Sequence, residues 1–117
     1  MADLIPANIS SPKTLGEKQE LFSYLLGLLI LKAYALGFKV RMGDVLAKPG
    51  THKENSNHYI KLAADLNLFL NNKYLDKTED HKQLGDYWKS LHHLCRWGGD
   101  FSNPDGNHYS LLHIGRA

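Results

Sequence analysis

The leucine-rich segment at residues 21–31 constrains the fold of this chain more than any other part of the sequence. It falls well short of the roughly twenty apolar residues that a helix needs to cross a bilayer, so we expect no membrane insertion. Its apolar positions recur at helical spacing, and Thr14-x-x-Glu17 is typical of a capped helix start. We therefore predict a buried helix from about residue 14 to residue 36.

Alternating apolar and polar residues predict a small sheet. Residues 38–42 and 64–70 both alternate in this way, which is typical of strands with one buried face. Asn71-Asn72 follows the second segment and favours a tight turn, so the chain is expected to return as a hairpin. A final strand is expected over residues 108–114.

A second helix is predicted in the C-terminal half of the chain. Apolar residues between positions 84 and 95 fall on one side at helical spacing, which places Cys95 on the apolar face of this helix. Trp97-Gly98-Gly99 is expected to break it. The predicted fold class is α+β, with two helices packed on a small, mostly antiparallel sheet.

The composition is that of an ordinary soluble domain, with 43% hydrophobic and 22% charged residues in 117. We expect residues 1–117 to form a single domain and a monomer. The net charge of +2 comes from scattered Lys and Arg residues, which gives no argument for a nucleic-acid partner. Cys95 is the only cysteine, which excludes an internal disulfide and a thiolate zinc cluster. Residues 1–6 do not resemble a secretory signal, so we expect synthesis in the cytoplasm.

Four polar residues form the strongest candidate site: His58, Asp65 and the pair Asp105-x-x-His108. Catalytic zinc takes three protein ligands, commonly histidine and carboxylate, and keeps a fourth position for water. Asp65 alternates with apolar neighbours, and an aspartate in such surroundings requires a partner. Spacing alone leaves a plainer interpretation open, in which the histidines are loop and strand-end residues and Asp105-Gly106 is a turn. The other histidines are expected at exposed, packing or capping positions.

The order of these residues resembles the M15 family of zinc peptidases. The usual core motif of that family is S-x-H-x-x-G-x-A-x-D, and it reads here as Ser56, His58, Lys61 in place of glycine, Ala63 and Asp65. The likeness covers most of the chain from about Thr14 and includes the runs Thr78-Glu79-Asp80-His81, Leu84-Gly85-x-Tyr87-Trp88, Trp97-Gly98-Gly99-Asp100-Phe101 and Asp105-x-x-His108.

This resemblance implies a Zn²⁺ ion held by His58, Asp65 and His108, with Asp105 as the general base. The family includes D-alanyl-D-alanine carboxypeptidases and the L-alanyl-D-glutamate endopeptidases that many phages use as endolysins. The run from His58 to Phe69 is most similar to the small phage and prophage members. The expected substrate is therefore a stem peptide of bacterial peptidoglycan, cut at the L-alanyl-D-glutamate bond. An endolysin of this type would be made in the host cytoplasm and would act on the wall after release.

One departure from the family pattern leaves alternatives open. Members often carry an arginine after the first strand that is thought to hold the substrate or its oxyanion, but this chain has Ala47 there. Arg41, Lys48 or Lys61 are the candidates to replace it. The missing arginine also favours a rival interpretation, a non-catalytic wall-binding domain with a structural metal. A D-Ala-D-Ala carboxypeptidase is the third alternative.

Overall fold

The computed structural model of the chain describes residues 5–44 and 56–117. Its helices and strands, in chain order, are α1 (Leu15–Ala35), β1 (Lys39–Met42), β2 (Ala63–Leu70), β3 (Lys73–Leu75), α2 (Lys82–Leu91), β4 (Cys95–Trp97) and β5 (His108–Leu111). The predicted α+β class, two helices with a mostly antiparallel sheet, is confirmed.

Helix α1 begins and ends where its sequence predicts. The Thr14 hydroxyl accepts a hydrogen bond from the Glu17 backbone N–H at 3.1 Å, and the Glu17 carboxylate accepts one from the Thr14 N–H at 2.9 Å. This capping box satisfies two N–H groups that the first turn would otherwise leave unpaired. The helix ends before Gly37, whose φ of +93° is a left-handed conformation that favours glycine. None of the helices in the described ranges is long and apolar enough to span a bilayer.

Strand β2 is the centre of the sheet, which has five strands in the described part of the chain. The strand order is β1-β2-β5-β4, and β3 also pairs with β2; each of these pairings is antiparallel. Asn71 and Asn72 join β2 to β3 with φ values of +52° and +64°. Two consecutive residues with positive φ are typical of a tight hairpin turn, so the predicted turn is confirmed.

The alternation along β2 separates the hydrophobic core from the opposite face of the sheet. Ala64, Leu66 and Leu68 are fully buried against the helices, whereas the Asp65 side chain is 16% exposed and lies on the other face. Strand β1 lies at the sheet edge, and there the expected buried face is incomplete because Met42 is half exposed. The sheet therefore has one core face and one face on which polar side chains collect.

Three predictions for the C-terminal half are wrong. Helix α2 ends at Leu91, and Cys95 lies in strand β4, where it pairs with Leu111 of β5. Cys95 reaches the core from a strand, so its helical spacing from the residues of α2 does not reflect one continuous helix. Trp97-Gly98-Gly99 consequently ends a strand and does not break a helix. The final strand also stops at Leu111, earlier than the expected residue 114.

Candidate metal centre

His58 is carried by a short 3₁₀ turn, Asn57–Ile60, that precedes β2. The hydroxyl of Ser56 caps this turn by accepting a hydrogen bond from the His58 N–H at 3.3 Å. Lys61 then adopts a left-handed conformation with φ of +57°, which redirects the chain into β2. The turn leaves His58 only 2% exposed, above the start of the central strand.

Asp65 and His108 are placed together by sheet register. They are directly paired residues of the antiparallel strands β2 and β5, so their side chains lie on the same face. The Asp65 Oδ1 atom is 3.3 Å from His58 Nε2 and 3.6 Å from His108 Nδ1. One ligand atom from each of the three residues lies within 4.8 Å of the others. The structure therefore brings together the three residues that the sequence predicts as metal ligands.

The cluster is buried, and its ionised carboxylate favours the binding of a cation. Burial alone would raise the pKa of the Asp65 carboxyl, but its interactions with His108 and His58 outweigh burial and lower the pKa to about 2. The aspartate is therefore ionised at neutral pH. Two imidazoles and one carboxylate are donors that zinc accepts readily.

The two distances from Asp65 to the histidine nitrogens fit zinc. A tetrahedral zinc bound at about 2.0 to 2.2 Å from each donor atom places neighbouring donors about 3.4 Å apart, close to the observed 3.3 and 3.6 Å. Within the described residues, Asp65 Oδ1 is buried and no N–H group points at it in hydrogen-bond geometry. A buried acceptor of this kind is costly unless it is satisfied, and a cation between the three residues would satisfy it. Three protein ligands also leave one tetrahedral position for water.

The main chain of Asp105 is hydrogen-bonded to that of His108, and Asp105 is not one of the three clustered residues. Its backbone N–H donates to the Gly98 carbonyl at 2.9 Å, and its carbonyl accepts from the His108 N–H at 3.1 Å. The Asp105 side chain is exposed and lines a polar cavity of about 240 Å³, together with Lys77 and Thr78. The turn thus fixes the main chain of Asp105 three residues before a ligand and leaves its carboxylate accessible to a substrate.

Gly98 allows this turn to pack against the end of β4. A Cβ atom on Gly98 would lie 2.1 Å from the Asp105 carbonyl oxygen and 2.8 Å from the His108 Cβ. We expect Gly98→Ala to destabilise the fold by about 1 to 3 kcal/mol, because a backbone atom cannot move aside cheaply. The matched control is Gly27→Ala in the middle of α1, where a Cβ has open space, and this change should stabilise the protein by about 1 kcal/mol. Thermal melting shows whether each substitution lowers or raises the stability of the protein. A Gly98→Ala variant as stable as the wild type would contradict the packing described.

Two of the three candidates for the missing arginine, Arg41 and Lys61, lie among the described residues. Arg41 pairs with Asn67 in β1–β2 register and therefore lies on the same face as Asp65, with its guanidinium 4.3 Å from the centre of the Phe69 ring. Lys61 is exposed at the end of the 3₁₀ turn. Lys48 lies outside the described residues, as does His52. Position on the metal face thus favours Arg41 over Lys61.

His81 is one residue whose setting the sequence does not indicate. It is 2% exposed, with its Nδ1 atom 3.0 Å from the Tyr109 hydroxyl, so the expected exposure is wrong. His81 does occupy the N-cap position of α2, although its side chain makes no capping hydrogen bond. Burial lowers the pKa of His81, which favours the neutral imidazole. The contact ties the turn before α2 to the strand that carries His108. The only hint in the sequence is that His81 belongs to the run shared with the M15 family.

An α+β domain with two imidazoles and a carboxylate converging on one face of its sheet is typical of proteins with a catalytic metal centre. The profile of the M15 peptidase family described as D-alanyl-D-alanine carboxypeptidase matches residues 49–111, which is more than half of the chain. The match includes the three clustered residues and Asp105. No curated protein matches the chain. The chain therefore belongs to this M15 peptidase family.

Proposed function

We propose that the protein is a zinc-dependent peptidase that hydrolyses an amide bond in peptidoglycan stem peptides. The observation that carries this proposal is the convergence of His58, Asp65 and His108 in a chain of the M15 family. Within that activity, we propose cleavage between L-alanine and D-glutamate, as in the phage endolysins that the sequence resembles. We also propose that the protein is made in a host cytoplasm and acts on the cell wall after release.

In the proposed mechanism, His58, Asp65 and His108 hold the metal and Asp105 moves protons. When bound, zinc supplies Lewis acidity that polarises the scissile carbonyl and acidifies the attacking water. The Asp105 carboxylate accepts a proton from that water as its oxygen bonds to the carbonyl carbon. Asp105 then delivers the proton to the leaving nitrogen as the C–N bond breaks. Its exposed side chain, together with a main chain hydrogen-bonded to that of His108, supports this role.

The polar cavity next to Asp105 is the proposed place for part of the substrate. Stem peptides carry free carboxylates, and Lys77 in the cavity wall offers an ammonium group to bind one. Arg41 on the metal face offers a second cationic group at some distance along the sheet. None of the three clustered residues lines the cavity itself, so the proposed substrate extends from the cavity past Asp105 to reach the metal.

Mass spectrometry of digested, purified peptidoglycan tests the proposal. Fragments with a new N-terminal D-glutamate are the expected result. Release of free D-alanine would instead support a D-Ala-D-Ala carboxypeptidase, an alternative favoured by the description of the matching family. Wall binding without any released fragment would contradict both and support a binding domain with a structural metal.

A further inference from the structure

Asn57, the residue before His58, is hydrogen-bonded to the end of β5 and to a residue that follows this strand. Asn57 is fully buried, and its side-chain amide donates hydrogen bonds to the carbonyl of Leu111 at 2.6 Å and to that of Arg116 at 3.1 Å. Leu111 is the last residue of β5, the strand that begins with His108. One side chain thus joins the turn that carries one proposed ligand to the strand that carries another.

Arg116 also donates a hydrogen bond to the segment that precedes His58. Its guanidinium Nη2 donates to the carbonyl of Ser56 at 2.9 Å. The backbone of Arg116 is itself fixed by two hydrogen bonds with His113, at 2.8 and 2.9 Å. Ser56 and Asn57 are therefore bonded reciprocally to a closed turn at residues 113–116. We name this arrangement of Asn57 and Arg116 the C-terminal latch.

The three proposed ligands differ in how firmly their backbones are held. Asp65 and His108 are fixed by strand pairing, because they are register partners inside the sheet. His58 lies on a four-residue 3₁₀ turn, an element with poor intrinsic hydrogen-bond geometry. The backbone bond from the Leu62 N–H to the Asn57 carbonyl, at 3.0 Å, closes the turn but does not anchor it to β5. The end of the turn is held by other bonds, from the Leu111 N–H to the Leu62 carbonyl at 3.0 Å and from the Gln19 amide to the Ile60 carbonyl at 2.9 Å. The latch adds the bonds that hold the start of the turn, next to His58, to β5 and to the C-terminal turn.

We propose that Asn57 and Arg116 are positioning residues that hold His58 in place for the metal. This inference rests on the proposed function, since it takes the cluster to be a zinc site. Residues that orient a metal ligand without binding the metal typically change metal affinity 10- to 100-fold when they are mutated. The latch acts in the same way, because it restricts where the His58 imidazole can lie relative to Asp65 and His108.

The test measures zinc affinity of the full chain by competition with a chromogenic chelator. Asn57→Ala is expected to weaken zinc binding by about 10- to 100-fold. Asn57→Asp should behave similarly, because a carboxylate keeps the shape but turns two donated hydrogen bonds into oxygen–oxygen repulsion. Arg116→Ala should show a smaller loss in the same direction, and Arg116→Lys should recover part of it. Arg116 is only partly buried, so its variants remain measurable even if Asn57→Ala does not fold.

The matched control is Trp88→Phe. The Trp88 indole N–H also donates to two carbonyls, those of Arg96 and Ser110, so this variant loses a comparable buried donor away from His58. Trp88→Phe should lower the melting temperature of the zinc-free protein and leave zinc affinity unchanged. The absorption bands of bound Co²⁺ should shift in the latch variants only, because they report the arrangement of the ligands.

The outcomes separate the latch from the proposed function. Latch variants that fold and bind zinc as tightly as the wild type overturn the latch alone. A wild type that binds zinc and shows the predicted affinity losses, yet releases no peptidoglycan fragments, supports the latch and overturns the peptidase. A wild type that binds no zinc overturns both.

Discussion

Replacing Asp105 with alanine is expected to reduce peptidoglycan cleavage by about 10² to 10⁴-fold, the usual contribution of a general acid–base group. The reason is that Asp105 moves protons in the proposed mechanism and does not bind the metal. Its side chain is exposed, and it lies outside the His58, Asp65 and His108 cluster. Zinc content and melting temperature should therefore stay close to those of the wild type. The measurement is the rate of fragment release from purified peptidoglycan, normalised to bound zinc.

Two further variants separate a proton-transfer role from a general loss of negative charge. Asp105→Asn should be as impaired as Asp105→Ala, because the amide keeps the shape but cannot accept the proton. Asp100→Asn removes a half-exposed carboxylate that pairs with Lys89 at 2.7 Å, and it should retain wild-type cleavage. Near-normal turnover by Asp105→Ala would show that Asp105 is not the base.

The second large effect is expected at the ligands. The wild type should bind one zinc per chain, and His58→Ala or His108→Ala should abolish tight binding, because each removes one of three protein donors. Zinc bound to the folded state alone stabilises it by about 4 kcal/mol at a concentration of 1,000 times Kd. Both variants should therefore lose the rise in melting temperature that zinc gives the wild type.

The ligand prediction has a control in the same chain. His93→Ala removes an exposed imidazole away from the cluster and should keep both the zinc and the thermal shift. Metal analysis after extensive dialysis gives the bound zinc. Melting curves with and without zinc give the thermal shift. Stoichiometric zinc in the His58→Ala, His108→Ala double variant would contradict the ligand assignment.

The parts of the fold that the sequence predicts are those specified by local signals. Helix α1 has a capping box at Thr14 and Glu17 and an apolar repeat longer than two turns. The β2–β3 hairpin has two consecutive asparagines that tolerate positive φ. Strand β4 is too short, at three residues, to show an alternating pattern, and it exists because it pairs with β5. That non-local pairing is why the helical pattern places the end of α2 too late.

The candidate site, too, can be predicted from the sequence only in part. The residue types and order of His58, Asp65 and His108 are enough to indicate a ligand set, because they match the family motif. The contact between Asn57 and Arg116 joins residues 59 positions apart, through a turn that no local pattern predicts. The steric demand on Gly98 likewise depends on where Asp105 and His108 return in space. Sequence can thus indicate which residues are candidate ligands, while the packing that holds them is visible only in the fold.

The proposed zinc chemistry makes peptide hydrolysis dependent on the metal. The protein is stripped of metal with a chelator, dialysed, verified to be metal-free, and incubated with purified peptidoglycan before and after addition of one equivalent of Zn²⁺. The metal-free protein is expected to release no soluble stem-peptide fragments, and fragments should appear once zinc is restored. Equal release of fragments by the verified metal-free protein, or no release by the zinc-loaded protein, would contradict zinc-dependent hydrolysis.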